Sequence, residues 1–250
     1  MADPIPERAA RLRQGLAWGA HLYTALGSLA GFLALLAIFR GQVRAAFLWM
    51  LVAGVIDSTD GALARKVNVK SWLPGFDGSK MDDIVDYLNY VVVPVVLVYH
   101  WGLLPQGAGI WVAALPLLAS AYGFCQAEAK TPDHFFKGFP SYWNIVAFYL
   151  YVTGFPVWLN AVIIVILALC VFVPLRFVYP SRTPTLRVLT CALCALWAGI
   201  MLVLIWQLPT PSRTLLAASW FFPVYYVGLS LYLQAGRREK TPRSTASSVS

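Results

Sequence analysis

Residues 55–90 read VIDSTDGALARKVNVKSWLPGFDGSKMDDIVDYLNY, and this stretch holds six of the eleven acidic residues in a chain of 250. The six acids are Asp57, Asp60, Asp77, Asp82, Asp83 and Asp86. The surrounding sequence is mostly apolar, and carboxylates beside hydrocarbon are energetically unfavourable and tend to mark function. This stretch is therefore the predicted functional site, and the sequence on either side determines its environment.

The composition of the chain is that of a membrane protein. It is 59% hydrophobic and only 12% charged, whereas soluble domains have roughly 25% charged residues. Its apolar segments repeatedly reach the roughly 18 residues that a helix needs to cross a bilayer. We therefore predict an all-α fold, a polytopic integral membrane helix bundle. The net charge of +8 predicts anionic lipids rather than nucleic acid as partners, because Lys and Arg fall between the apolar segments.

Eight transmembrane helices are predicted. They run from about 17 to 39, 45 to 65, 81 to 100, 108 to 126, 142 to 155, 157 to 175, 187 to 206 and 214 to 234. Residues 17–234 thus form one transmembrane domain, in which Pro94 is expected to kink the third helix. Residues 1–16 are predicted to form a short amphipathic helix on the membrane surface, and residues 235–250 a disordered basic tail.

The distribution of Lys and Arg predicts the orientation of these helices. With the N-terminus inside, sixteen of the nineteen basic residues lie on the cytoplasmic side, and Arg40, Arg44 and Arg213 lie outside. Basic residues favour cytoplasmic loops, so both termini are predicted to be cytoplasmic. The acidic stretch is then expected at the cytoplasmic boundary of the membrane, where the second helix ends and the third begins.

The spacing of the acids predicts that they lie together on two facing helices. Asp57 and Asp60 are three residues apart, and Asp82 and Asp86 are four apart, and both spacings place side chains on one helix face. Four carboxylates this close repel one another, and one or two divalent cations relieve the repulsion. Carboxylate oxygens suit Mg²⁺ or Mn²⁺. The small residues on the same faces, which leave space beside the acids, are Gly61, Ala64 and Gly78.

Acidic helices that hold metal ions are suited to diphosphate chemistry, because the cations neutralise phosphate oxygens and the leaving group. Arg65 lies one turn beyond the acids and can bind a phosphate with both arms of its guanidinium group. The alternative is that the acids form salt bridges with Arg65, Lys66 and Lys80. Three cations do not balance six acids, so we favour a metal site.

The acids and small residues form the pattern Asp57-x2-Asp60-Gly61-x2-Ala64-Arg65, followed by Gly78-x3-Asp82-x3-Asp86. In this pattern the chain resembles the CDP-alcohol phosphotransferases, integral membrane enzymes of phospholipid synthesis, and every fixed position of their signature is present. Twelve residues separate Arg65 from Gly78, a longer connection than in many members. The wider sequence, including HFFKGFPSYWN at 134–144 and RFVYPSRT at 176–183, resembles the bacterial phosphatidylcholine synthases of that family.

This resemblance implies a reaction in the bacterial inner membrane. Choline attacks CDP-diacylglycerol to give phosphatidylcholine and CMP, with the help of two Mn²⁺ or Mg²⁺ ions. By this resemblance, Asp57, Asp60 and Asp82 look like metal ligands. Asp86 is similar to the residue that acts as the catalytic base and as a further metal ligand. The positions that match the CDP pocket are Asp57, Gly61, Ala64, Arg65 and Gly78. Members of the family are often dimeric, which allows for a homodimer.

Two further groups of residues are candidates for binding substrates. Arg176, Tyr179, Ser181 and Arg182 lie in a predicted inner loop, where they either bind the lipid phosphate or serve only as positive-inside anchors. The quaternary ammonium of choline favours aromatic faces. The candidates for choline are Asp83, Tyr87, Tyr90, Tyr142 and Trp143, although aromatic residues are also typical of the membrane interface.

Two other functions remain open. The same metal site can serve serine, glycerol 3-phosphate or inositol phosphate as the acceptor, and an anionic acceptor requires extra basic residues near the acids. A cation transporter also carries acids within the membrane, but those acids are expected near the midplane on broken helices. The acids of this chain are predicted at one boundary, beside Gly and Arg, which favours the enzyme.

Overall fold

A computed structural model describes residues 6–126, 135–180, 183 and 185–238. Its helices are α1 (Glu7–Phe39), α2 (Val43–Lys66), α3 (Val69–Trp72), α4 (Gly78–Tyr87), α5 (Val93–His100), α6 (Gly109–Phe124), α7 (Trp143–Thr153), α8 (Val157–Cys170), α9 (Arg187–Trp206), α10 (Arg213–Ser219) and α11 (Phe221–Arg238). A π-helix, Leu88–Val92, joins α4 to α5. Two strands, β1 (Phe135–Lys137) and β2 (Arg176–Val178), form an antiparallel pair.

The first two helices form a close pair that presents the acidic end of α2 to α4. Gly41 lies in the turn between them at φ +68°, a conformation that glycine adopts without steric penalty. Much of the buried face of α1 consists of small residues, namely Ala17, Ala20, Gly27, Ala30, Gly31, Ala34 and Ala37. Small side chains let helix backbones approach closely within a membrane. As a result α1 packs along α2 and also contacts α4.

The third predicted span is a composite helix. Asp77 caps its start, because the Asp77 side chain accepts a hydrogen bond from the Lys80 amide at 3.1 Å. The helix widens into the π-helix just before Pro94, which lacks the amide hydrogen that a regular helix requires. Asn89 secures the π-helix to α1 by donating a hydrogen bond to the Gly27 carbonyl at 3.0 Å. The irregularity expected at Pro94 thus takes the form of a π-helix on its N-terminal side.

The structure is mostly helical, as predicted, but the all-α prediction misses one two-stranded sheet. In this sheet Phe136 lies opposite Phe177. Helix α11 holds β2, because the Val178 amide donates to Ser230 Oγ at 3.1 Å and the Tyr226 hydroxyl donates to the Val178 carbonyl at 2.9 Å. Each strand has only three residues, too few for an alternating pattern to be recognised in the sequence.

The helices are those of a membrane protein. Within the described residues, four segments are long and apolar enough to cross a bilayer, Glu7–Phe39, Val43–Lys66, Arg187–Trp206 and Arg213–Ala235. The shorter apolar helices include Gly109–Phe124, Trp143–Thr153 and Val157–Cys170. All eight predicted segments contain helix, but the count of eight complete spans stays a prediction.

The first and last helices extend beyond the bounds predicted for the first and last spans. Helix α1 runs without a break from Glu7 to Phe39, so residues 7–16 continue directly into the first predicted span, and their location on the membrane surface stays a prediction. The sequence ERAARLRQGLA is rich in strong helix formers, and its single glycine does not interrupt the helix. Helix α11 continues to Arg238, past the predicted end at 234, and the rest of the predicted tail lies outside the described residues.

Candidate active site

Three of the four predicted metal ligands come together between α2 and α4. One carboxylate oxygen each from Asp57, Asp82 and Asp86 lies within 4.8 Å of the other two. Helix α2 carries Asp57, and α4 carries Asp82 and Asp86 one turn apart. All three side chains are partly buried. The two helices therefore place three acids around a common point that a small cation can reach.

Asp60 lies outside this group of three, although it is on the same helix as Asp57. It is only 6% exposed, and it has no hydrogen bond or ion pair with any residue that the structure describes. A buried carboxylate without a partner is strongly unfavourable. A cation held by the neighbouring acids would relieve this penalty.

The three clustered carboxylates fit a divalent cation. Oxygen ligands bind Mg²⁺ or Ca²⁺ at roughly 2.0–2.6 Å, so the ligands of one ion lie within about 5 Å of each other. The observed limit of 4.8 Å between carboxylate oxygens agrees with this requirement. A donor set made of carboxylates favours Mg²⁺ or Mn²⁺ over softer metals.

The basic residues beside the acids do not form the alternative salt bridges. Arg65, Lys66 and Lys80 make no ion pair with any residue in the described part of the chain. The Arg65 guanidinium instead folds back along α2, where Nη1 lies 3.3 Å from the position that a Cβ at Gly61 would occupy. Glycine at this signature position therefore leaves room for the arginine. Ala64, one turn after Asp60, is half-buried.

Gly78 is the first residue of α4, and it packs against His21 of α1. A Cβ at Gly78 would lie 2.6 Å from His21 Cε1, which is too close for a real contact. The His21 ring also packs on Phe76, with the centroids 4.5 Å apart. The sequence does not point to His21, because a lone histidine in an apolar helix belongs to no recognisable spacing. The glycine of the signature is thus required for helix packing.

Tyr90 is hydrogen-bonded to the acidic group. Its hydroxyl donates to Asp57 Oδ2 at 2.6 Å. Tyr90 lies in the π-helix one turn after Asp86, so the composite helix carries Asp82, Asp86 and Tyr90 at successive steps of four residues. Tyr90 was predicted to contact choline. Its hydrogen bond to Asp57 was not predicted, because it depends on how the helices pack.

Two other aromatic residues predicted to contact choline are bonded to α6. The Tyr87 hydroxyl donates to the Leu117 carbonyl at 2.9 Å. The Trp143 indole N–H donates to Ser120 Oγ at 2.8 Å, and Trp143 is buried. The polar groups of Tyr87 and Trp143 therefore bond to other residues of the helix bundle. The contact of these two side chains with choline stays a prediction.

Tyr142 lies within electrostatic range of the acids, because the charge of the Asp57 carboxylate acts on its phenol. Its ring contacts that of Tyr226 in α11, with the centroids 6.2 Å apart. Tyr226 was not predicted, since the approach of α11 is a tertiary contact that local spacing does not encode. Asp83 is partly buried beside Asp82 and lies outside the group of three carboxylates.

The residues predicted to bind the lipid phosphate fall on the two-stranded sheet and the loop after it. Arg176 begins β2 and lies opposite Lys137 of β1. The Tyr179 ring stacks on Phe136 at a centroid distance of 4.7 Å, and its phenol lies near Tyr142. Tyr179, directly after β2, and Asp57 of the acidic group therefore both act electrostatically on Tyr142. Ser181 and Arg182 lie outside the described residues.

Fold and site together define an integral membrane protein of helices, with a group of carboxylates suited to a divalent cation. A family model described as CDP-alcohol phosphatidyltransferase matches residues 19–225. The chain therefore belongs to the CDP-alcohol phosphatidyltransferase family, and it is a transferase. The resemblance drawn from the signature residues is confirmed.

Relatives within this family match over most of their length. The chain is 38% identical to a phosphatidylcholine synthase of Legionella pneumophila over 223 residues, which are 86% of this chain and 88% of that protein. It is 34% identical to the phosphatidylcholine synthase of Pseudomonas aeruginosa, across 93% of this chain and 98% of the relative. The identity to the phosphatidylcholine synthase of Legionella bozemanae is 40%, across 81% and 95% of the two chains.

Proposed function

We propose that the protein condenses CDP-diacylglycerol with choline to give phosphatidylcholine and CMP. One observation carries the proposal: proteins named phosphatidylcholine synthase align with nearly the whole chain, including the helices that bring Asp57, Asp82 and Asp86 together. The relatives support the choice of acceptor, and the geometry of the acids supports the chemistry.

Asp57, Asp82 and Asp86, with Asp60 beside them, are the residues that would hold one or two Mn²⁺ or Mg²⁺ ions. When bound, such ions neutralise the diphosphate oxygens and the charge that develops on the departing CMP. The chain itself contributes ligands on α2 and α4, which both pack against α1, so the site would be formed before the substrate arrives. Preorganised charge of this kind needs little rearrangement during the reaction.

Asp86 is the proposed base. It accepts the proton of the choline hydroxyl, and the choline oxygen forms a bond to the lipid-side phosphorus of CDP-diacylglycerol. The bond between that phosphorus and the bridging oxygen breaks, and CMP leaves with the electron pair. Phosphoryl transfer requires little covalent help from the protein, so the main task of the site is to position these groups.

The substrate diphosphate is proposed to lie along the signature face of α2 and the start of α4. Arg65 would bind phosphate oxygens, and Gly61, Ala64 and Gly78, together with Asp57, would line the CDP pocket. The lipid-side phosphate would lie toward the sheet, where Arg176 and Tyr179 are found. Ser181 and Arg182 complete that set.

Choline is proposed to bind beside Tyr90 and Tyr142. Both tyrosines are close to Asp57, so their ring faces and the negative potential of the acids would attract the quaternary ammonium together. The other residues predicted to contact choline are Tyr87, Trp143 and Asp83, and they would complete the choline pocket.

The proposal places the protein in the bacterial inner membrane with both termini in the cytoplasm. Residues 17–234 would cross the membrane eight times, followed by a basic cytoplasmic tail. The support for this orientation is the sixteen to three division of basic residues between the two sides. A homodimer is compatible with it.

An acceptor panel tests the proposal. Purified protein receives Mn²⁺, CDP-diacylglycerol and one labelled acceptor at a time, namely choline, serine, glycerol 3-phosphate or inositol phosphate. We expect label in phosphatidylcholine, with equimolar CMP, from choline alone. Label taken up from serine, glycerol 3-phosphate or inositol phosphate, with none from choline, would overturn the acceptor assignment but leave the family chemistry intact. Absence of CMP release with every acceptor would contradict the transferase itself.

A further inference from the structure

The hydroxyl of Tyr90, in the π-helix, makes a hydrogen bond to Asp57 of α2, which is a proposed metal ligand. The hydroxyl donates to Asp57 Oδ2 at 2.6 Å. A distance in this range is typical of a charge-assisted bond to an ionised carboxylate, which is stronger than a bond between neutral groups. One of the two Asp57 oxygens, Oδ2, therefore accepts a hydrogen bond from the tyrosine.

The geometry points to Tyr90 as a positioning residue for the metal site, and we infer that its hydroxyl sets the orientation in which Asp57 binds the cation. A carboxylate can rotate about its terminal bond and present either oxygen. Fixing one oxygen through Tyr90 fixes the plane of the group and directs the other oxygen. Partners of this kind orient metal ligands, and their loss lowers metal affinity.

The backbone of the composite helix explains how Tyr90 reaches this position. Asp82 and Asp86 lie on α4, whereas Tyr90 lies in the π-helix that follows. Asn89, the residue before Tyr90, is bonded to the carbonyls of Gly27 and Val85 at 3.0 and 2.9 Å. The bond to Gly27 holds the π-helix against α1, so the tyrosine reaches across to α2 from a fixed backbone. π-helical turns are often found at functional sites.

This inference rests on the proposed function only in taking the acids as metal ligands, and it does not depend on the identity of the acceptor. It assigns Tyr90 a role beyond its proposed contact with choline. The ring face and the hydroxyl are separate parts of the side chain, and replacing tyrosine by phenylalanine removes only the hydroxyl.

The test is to measure Mn²⁺ binding to the purified Tyr90→Phe protein, without substrates, by the loss of the free Mn²⁺ signal in electron paramagnetic resonance. We expect the dissociation constant for Mn²⁺ to rise by about 10- to 100-fold. In turnover assays, the Mn²⁺ concentration for half-maximal rate should rise by a similar factor. At saturating Mn²⁺ the KM for choline should equal that of the wild type, since the aromatic ring is retained.

Tyr23→Phe is the matched control. The Tyr23 hydroxyl also bonds to α2, but its partner is the Thr59 hydroxyl at 2.8 Å rather than a carboxylate. This variant should bind Mn²⁺ like the wild type. Unchanged Mn²⁺ affinity in Tyr90→Phe, or an equal loss in both variants, would overturn the positioning role. If the acceptor panel failed while Tyr90→Phe still weakened Mn²⁺ binding, the inference would stand without the choline assignment.

Discussion

Gly78 illustrates how one residue of the signature serves both packing and chemistry. It begins α4, the helix that carries two of the three clustered acids, and it lies directly against His21 of α1. A side chain at residue 78 would push α4 away from α1 and move Asp82, one turn further along. Small residues at contacts between membrane helices allow this close approach.

The first prediction concerns Gly78→Ala. The added Cβ would lie 2.6 Å from His21 Cε1, so we expect a loss of stability of about 1–3 kcal/mol and a lower turnover rate. The double variant Gly78→Ala with His21→Ala should recover much of both, because the colliding ring is gone. Thermal denaturation and CMP release measure the two effects in a double-mutant cycle.

Gly75→Ala is the control for this cycle, since a Cβ there would have no neighbour within 4 Å. It should behave like the wild type. The contrary result would be a raised KM for CDP-diacylglycerol in Gly78→Ala, with neither stability nor turnover restored by removing the His21 ring. In that case the glycine would act through the nucleotide pocket and not through packing against α1.

The two-stranded sheet joins parts of the chain that are far apart in sequence and attaches them to α11. β1 and β2 are separated by two helices, α7 and α8, and α11 holds β2 through Tyr226 and Ser230. Gly138 follows β1 at φ +83°, and its Cα faces the Val171 carbonyl so closely that a Cβ would overlap the oxygen. The sheet therefore depends on a glycine for both conformation and space.

We predict that Gly138→Ala is more destabilising than Gly107→Ala. Gly107 also has a positive φ, +76°, but nothing lies within 4 Å of its Cβ position. A left-handed conformation costs a residue with a side chain roughly 1–2 kcal/mol, and overlap with Val171 should add about 1–3 kcal/mol at Gly138. Thermal denaturation of the two variants in the same detergent measures the difference. Equal shifts in the midpoint temperature would show that the close packing of Gly138 has no energetic effect.

At the scale of the whole molecule, the sequence predicts those features of the structure that depend on local contacts. Apolar segments predict the positions of the helices, and steps of three and four residues place Asp57, Asp82 and Asp86 on facing sides of α2 and α4. The same steps include Asp60, yet the structure leaves Asp60 outside the closest group. Helix periodicity defines a face, but the rotation of one helix against another decides which members of that face meet.

Contacts between distant segments were not predictable in this way. His21 lies 57 positions before Gly78, and Asn89 reaches Gly27 across 62 positions; neither pair shares a helical period. The sheet could not be predicted either, because FFK and RFV are too short to show an alternation of buried and exposed residues. The connection between Arg65 and Gly78 is longer than the family signature leads one to expect, and within it α3 and Phe76 pack back toward α1.

The most direct test of the account compares Asp82→Asn with the wild type in metal-dependent CMP release from CDP-diacylglycerol and choline. The substitution keeps the shape of the side chain but removes the charge that a divalent cation requires. We expect turnover to fall by more than about a hundredfold, since loss of a ligand should exceed the 10- to 100-fold effect of losing its supporting partner. Asp77→Asn, which removes a charge from the helix cap while keeping its acceptor oxygen, should retain activity. Near-normal, Mn²⁺-dependent CMP release by Asp82→Asn would contradict the central claim that these carboxylates form the metal site of a phosphatidyl transferase.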